Sequence, residues 1–222
     1  MADNASSFGS CIYDSNITSV LPYYREYHVQ ITDLVKAAGL TSPLWLDTGC
    51  GTGTLAFAAL SEIPGIRFTL ADPSEKMLDE ARAKLAGRDI RYVNAPSDKL
   101  DFVGEFDIVT AVQSHHYYDK AGREEAVRHC YDALKKGGIF VTFENIRMSS
   151  DMSDAIALTR WKQFQLGHGR TPEDVEEHIA RRGTVMFPIT IGEHLDMLKK
   201  CVFASVDILW TSYLQAGFWA IK

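Results

Sequence analysis

The chain has 222 residues, 46% of them apolar, and its 29 acidic and 23 basic side chains give a net charge of −6. That composition fills one core of ordinary size and argues against a protein held on nucleic acid by its overall field. Cys11, Cys50, Cys130 and Cys201 are far apart with no metal-ligand spacing, as expected of free thiols in a reducing, cytoplasmic compartment; MADNASSFGS is no signal peptide, and no apolar run approaches a membrane span.

From Pro22 to Ala38 the apolar residues Tyr24, Tyr27, Ile31, Leu34 and Val35 recur at helical spacing, with Pro22 in the first turn and Gly39 at the end. Leu44–Leu46 is a short buried strand, followed by a glycine loop and a helix from about Leu55. Ile66–Ala71 is the next strand, and Ser74 caps a helix to Ala86. Ile90–Val93 and Phe106–Val112 are strands three and four. The loop His115–Tyr118 leads to a helix over Arg123–Leu134, and Lys136-Gly137-Gly138 turns into strand five, Ile139–Glu144. Alternation at this spacing predicts an α/β fold, a Rossmann-like, doubly wound, mostly parallel sheet covered on both faces.

Residues 147–185 break the rhythm with a polar helical insert, in which Thr171 and Pro172 start a helix. Thr190 and Glu193 form a capping box that opens a helix to about Lys200. Val206–Thr211 and Gln215–Ile221 are joined by so short a link that they must pair antiparallel, so the sheet has seven strands and the terminal one is reversed. One domain over 1–222 accounts for all of this, with an N-terminal lid region at 10–38 and the insert at 147–185.

LWLDTGCGTGTLAFAAL places Asp47, Gly49, Gly51 and Gly53 two residues apart where a strand ends. In open α/β sheets ligands bind beyond the carboxyl ends of the strands, and glycines there let backbone touch the ligand. The spacing is GxGxG rather than the dinucleotide GxGxxG. Asp47 suits an ammonium or sulfonium better than a pyrophosphate, and Asp72, at the end of the next strand, suits a ribose diol.

These motifs resemble those of the class I S-adenosylmethionine-dependent methyltransferases: LDTGCGTG, the acidic end of strand two in LADPSEKML, FDIVTAV, LKKGGIF and a terminal antiparallel pair. The resemblance implies S-adenosyl-L-methionine as cofactor, with Gly49, Cys50 and Gly51 against its methionine part and Asp72 and Pro73 at the ribose. It also implies Met77 beside the adenine, with Asn94 and Ala95 at the adenine edge, where the family usually has an acid.

LPYYREY and the ending from His194 to Lys222 are further similar to the carboxy-S-adenosylmethionine synthases of tRNA uridine modification. That likeness implies Tyr24 and Gln113 at the methionine end. Those synthases hold the extra carboxylate of their cofactor with an arginine in the helix before the terminal strands, and Met197 stands there. Burying a carboxylate without a cation is expensive, so ordinary methyl transfer is the expectation.

Methyl transfer needs in-line placement and, for weak nucleophiles, a base. SHHYYD follows strand four at the ligand edge, which makes His115 and His116 the base candidates and Tyr117 their neighbour. Each histidine could instead be structural. Glu144 ends strand five at the same edge, to orient a substrate or to fix the following loop. No metal site is expected. The leading expectation is an enzyme that methylates an O, N or S atom of a small molecule. The alternatives are a tRNA-modifying enzyme related to the carboxy-S-adenosylmethionine synthases and a non-catalytic cofactor-binding partner subunit. A homodimer contact through the N-terminal helix is a further expectation.

Overall fold

The computed structural model describes residues 4–222; residues 1–3 of the opening segment lie outside it. Seven strands form one sheet: β1 (Leu44–Thr48), β2 (Arg67–Ala71), β3 (Ile90–Val93), β4 (Phe106–Val112), β5 (Leu134–Asn145), β6 (Ser205–Ser212) and β7 (Gln215–Ile221). Their order is β3-β2-β1-β4-β5-β7-β6, and β7 runs antiparallel to both its neighbours. The parallel strands alternate with α3 (Thr54–Glu62), α4 (Glu75–Lys84) and α5 (Lys120–Ala133). The chain reverses its winding between β1 and β4, where such sheets open a crevice at their carboxyl ends.

Two apolar layers follow from the period-two alternation of the strands. Trp45, Ile108, Val141 and Phe143 pack on one face beneath α1 (Tyr13–Val20) and α2 (Tyr24–Ala37). Leu46, Val109 and Phe140 pack on the other with α5 and α8 (Ile191–Lys200). Tyr27 stacks on Phe143 at 4.8 Å, which seats α2 on the first face.

Several boundaries differ from expectation. Tyr23 is left-handed at φ 57, so Pro22 stands in a break between two helices and α2 starts at Tyr24. β1 runs through Thr48, which places Asp47 inside the strand. β5 begins at Leu134, because Lys135–Gly138 bulge out between the pairs Phe106–Leu134 and Ile108–Ile139 instead of ending a helix. In the insert, α6 (Asp151–Gly167) starts on a Ser150–Ser153 capping box and α7 (Pro172–Ala180) on Thr171. The Thr190–Glu193 box opens α8 as expected. No helix among the described residues is long and apolar enough to cross a membrane.

Candidate active site

At the carboxyl end of β1 the backbone turns through Gly49 and Gly51, with φ +64 and +53. A Cβ on Gly49 would stand 2.3 Å from the Cβ of Ser114, so only glycine lets the β1 and β4 loops meet. Gly51 has open space instead, and its N–H donates to Asp72 Oδ2 at 2.9 Å. Asp72 Oδ1 accepts from Ser74 N at 2.8 Å, which orients the carboxylate at the end of β2. Burial raises the Asp72 pKa, and the two backbone N–H donors oppose that rise.

These groups border a cavity of about 300 Å³. Asp47, 2% exposed, lines its floor, and its Oδ1 accepts from Thr110 Oγ1 at 2.7 Å. Burial drives the Asp47 pKa up to about 7; the Thr110 hydrogen bond lowers it and the charge of Asp72 raises it further. Two carboxylates thus face one cavity, and no lysine or arginine among the described residues lines it. A cationic ligand with a diol fits that donor set. The sulfonium, ammonium and ribose of S-adenosylmethionine supply those groups.

Tyr24, Gly49, Cys50, Gly51, Pro73, Met77 and Gln113 line the same cavity. Asn94 and Ala95 do not, contrary to expectation. The Asn94 amide donates backward to the carbonyls of Asp72 and Pro73, at 3.0 and 3.2 Å, and braces the β2 loop. Ala95 packs into the α5 layer. Pro96 and Ser97 line the wall in their place, and Ser97 Oγ is held 2.7 Å from Thr48 Oγ1.

Gln113, left-handed at φ 54, separates this cavity from a second, smaller one of about 30 Å³. His116, Tyr117, Asn145, Trp161 and His178 border the second cavity, and Tyr13 and Tyr117 reach both. His116 Nδ1 stands 2.9 Å from Glu144 Oε2, which also accepts from His116 N at 2.8 Å. Glu144 Oε1 accepts from Thr142 Oγ1 at 2.6 Å. Burial alone would raise the Glu144 pKa, but the bond and charge of His116, the charge of His115 and the Thr142 hydroxyl together hold it near 2. An ionised carboxylate can only accept, so His116 Nδ1 donates to Glu144, and Asn145 N lies 3.4 Å from the same nitrogen. Glu144 itself is fully buried, lines neither cavity, and so acts through His116.

His115 is turned away, contrary to its candidacy as a base. Its ring stacks toward Phe140 in the opposite layer and lines neither cavity. Burial lowers its pKa to about 4, so it stays neutral. Burial likewise lifts Tyr117 to about 12, which keeps a phenol, not a phenolate, between the cavities. Arg123, 1% exposed, ties the loop down from α5: its Nε donates to His115 O at 3.0 Å and its Nη2 to Tyr118 O at 3.1 Å. It also donates to Phe187 O beyond the insert. Nothing in an arginine in the first turn of a helix announces such a role.

Met197 is buried in the layer with Phe140 and Phe218, lines neither cavity, and sits on a helix packed against β6 and β7. Its lack of charge therefore carries no information about a carboxylate at the sulfonium. The arginines nearest the second cavity follow α7. Arg182 Nη1 donates to Asn145 Oδ1 at 2.8 Å and also bonds Asp154, while Arg181 Nη1 donates to Ser7 Oγ at 2.8 Å. Arg181 further donates to Ala5 O, so residues 4–8 run as a strap along the rims of both cavities. At the glycine loop, Asp14 of α1 accepts from Thr52 Oγ1 at 2.7 Å and from Lys84 Nζ at 2.5 Å.

A family model described as a methyltransferase domain matches residues 46–138. The chain is 22% identical to the carboxy-S-adenosyl-L-methionine synthase of Methylococcus capsulatus over 95% of its own length and 90% of that protein's. To the synthase of a Nitratiruptor species it is 27% identical over 95% and 89%. Among solved structures, the magnesium protoporphyrin IX methyltransferase of Synechocystis with bound S-adenosylhomocysteine superposes with a TM-score of 0.66 at 19% identity, covering 92% of this chain and 86% of that one. Residues 46–138 thus carry a class I S-adenosylmethionine methyltransferase-like domain with its cofactor cavity at the β1–β2 edge, and the chain is related over nearly its whole length to the carboxy-S-adenosyl-L-methionine synthases.

Proposed function

We propose that this enzyme reacts S-adenosylmethionine with a small molecule whose reacting end reaches His116 through the second cavity, of about 30 Å³, with His116 as the proton acceptor. The observation that carries the reading is the His116–Glu144 pair, 2.9 Å apart, beside a cavity that shares Gln113 and Tyr117 with the wall of the cofactor cavity. The cofactor, when bound, supplies a methyl group on a sulfonium. Asp47 offers a negative charge to its cationic end and Asp72 accepts from its ribose hydroxyls. Gly49 and Gly51 let backbone approach it, and Tyr24 and Met77 cover it. His116 takes a proton at Nε2 while Glu144 holds Nδ1–H and stabilises the imidazolium that forms. The strap and Trp161 keep water out of the small cavity.

Relatedness over nearly the whole chain favours chemistry of the synthase kind, in which the methyl carbon loses a proton and bonds a carboxyl carbon released by the small molecule, and the remaining fragment takes up a proton where that carbon left. Arg181 and Arg182, directly behind Ser7 and Asn145, add positive charge to that end of the site. A second reading is methyl transfer to an O, N or S atom of the small molecule. It is favoured because both arginines already have partners and no lysine or arginine among the described residues lines either cavity.

Product analysis separates the readings. The enzyme is incubated with methyl-labelled S-adenosylmethionine and an ultrafiltered metabolite extract, and the adenosyl products are identified by mass. A nucleoside heavier by one carboxyl group supports the first reading; S-adenosylhomocysteine with label in a new small molecule supports the second. Label entering only added tRNA would overturn both.

A further inference from the structure

A second histidine borders the small cavity and has no part in the reaction as derived so far. His178, on α7 and 7% exposed, stands edge-on to Trp161 with ring centroids 5.1 Å apart at 83°. Its Nδ1 lies 2.7 Å from Ser7 Oγ. Arg181 Nη1 donates to the same oxygen at 2.8 Å. A guanidinium only donates, so the Ser7 oxygen accepts there, and among the described residues His178 Nδ1 is the acceptor in reach of the hydroxyl hydrogen. The neutral ring then carries its hydrogen on Nε2.

That Nε2 is buried and has no partner among the described residues. Nor can the ring escape by charging. Burial first, then the positive charges of Arg170, Arg181, His116 and Arg182, lower its pKa to about 3. An N–H left buried without an acceptor is destabilising, and native proteins keep few of them without a reason. Here Trp161 and Ser7 hold the ring in the orientation that leaves Nε2–H unused, in the wall of a cavity that His116 also lines.

We propose that His178 Nε2–H is a recognition donor for the second substrate, hydrogen-bonding an acceptor oxygen of carbonyl type on the molecule whose acidic O–H or N–H meets His116. The inference rests on the small-molecule reading above and deepens it. The substrate must offer both groups, and analogues lacking the oxygen are rejected because the donor then stays unpaired.

Histidine-labelled full-length protein saturated with S-adenosylhomocysteine tests this by nitrogen NMR and calorimetry. The probes are the ortho, meta and para hydroxyacetophenones, each set against the matching ethylphenol. The expected results are an Nε2–H tautomer for His178 and a preference of about tenfold or more for at least one ketone over its ethyl partner. Binding of that ketone should move the His178 Nε2–H resonance. The preference should vanish in His178→Phe, survive in part in His178→Gln, and weaken in Ser7→Ala, which keeps the ring and frees its tautomer. An Nδ1–H tautomer, equal affinities for every pair, or an unchanged preference in a folded His178→Phe would overturn the proposal. All these readouts are taken with the nucleoside bound, so their failure leaves the His116 reading standing; failure of the wild-type protein to bind S-adenosylhomocysteine would strike that reading instead.

Discussion

His116 and Glu144 lie on different strand ends, 28 residues apart, yet Glu144 Oε2 accepts from both the backbone N–H and the ring Nδ1 of His116. One carboxylate thereby fixes the position and orientation of one imidazole. His116→Asn should lower turnover by roughly 10²–10⁴-fold, the range of a lost general base, with S-adenosylhomocysteine affinity unchanged. Steady-state rates beside calorimetry check it; a parallel loss of nucleoside binding would make His116 a cofactor residue.

Glu144 also links the site to stability. Its folded pKa, about 2, is below the usual value of 4.5, so its contribution is fully present above about pH 4.5 and is lost as pH falls toward 2. Glu144→Gln should cost about 3 kcal/mol at neutral pH, because it breaks a buried pair and leaves His116 without its anion. The variant's stability should also fall less steeply than wild type below pH 4.5. Urea titrations across that range measure both effects.

Asp47 has the opposite sign. In the ligand-free protein its folded pKa is raised to about 7, so the native state binds the proton more tightly than the unfolded chain. Its contribution to stability therefore declines as pH rises from about 4 through 7. A cationic ligand needs the ionised form. The thermal shift produced by S-adenosylmethionine should grow between about pH 6 and pH 8. Asp47→Asn should stabilise the ligand-free protein at pH 8 by about 1–3 kcal/mol while weakening the ligand. A ligand shift that is flat with pH would place the sulfonium and ammonium away from this carboxylate.

Asp72 tests the ribose end. Asp72→Ala should cost about 1.5–3 kcal/mol of S-adenosylmethionine affinity, the size of a hydrogen bond to a charged acceptor. Gly51 N and Ser74 N lose their acceptor in the same change, so Asp72→Asn serves as a control that keeps one oxygen in the loop. Equal affinity in wild type and both variants would move the ribose elsewhere.

What was legible in the sequence is what neighbouring residues decide. The glycine spacing, Asp47 and Asp72 follow from a strand, a tight turn and a strand, and the Thr190–Glu193 box is local chemistry. Asn94 and Ala95 missed the cavity because the chain turns only after them, at Pro96 and Ser97, while the Asn94 amide is drawn back to the Asp72 carbonyl. His115 and His116 look equivalent in sequence. They diverge because the short helix His115–Tyr117 sends one ring to Phe140 and the other to Glu144. The Ser7–His178 bond joins residues 171 apart, and no pattern in either segment could reveal it.

The strap makes a kinetic prediction. Residues 4–8 are tied to the insert through Ser7 and Ala5, and α1 is tied to the glycine loop through Asp14. Amide exchange over residues 4–24 should slow when S-adenosylhomocysteine binds, as expected of a lid that closes on the ligand. Removing residues 1–18 should reduce turnover more than nucleoside affinity. Equal exchange in both states, with full turnover after truncation, would reduce the segment to a structural tail.

Consumption of labelled S-adenosylmethionine decides whether the second substrate is a small molecule beside His116. Wild-type enzyme and His116→Asn are each supplied with the ultrafiltered metabolite fraction, with and without ribonuclease treatment, or with purified tRNA. Consumption by wild type should depend on the small-molecule fraction, be indifferent to ribonuclease, and drop at least about a hundredfold in His116→Asn. Consumption that requires tRNA, or that proceeds equally well without His116, would contradict that assignment.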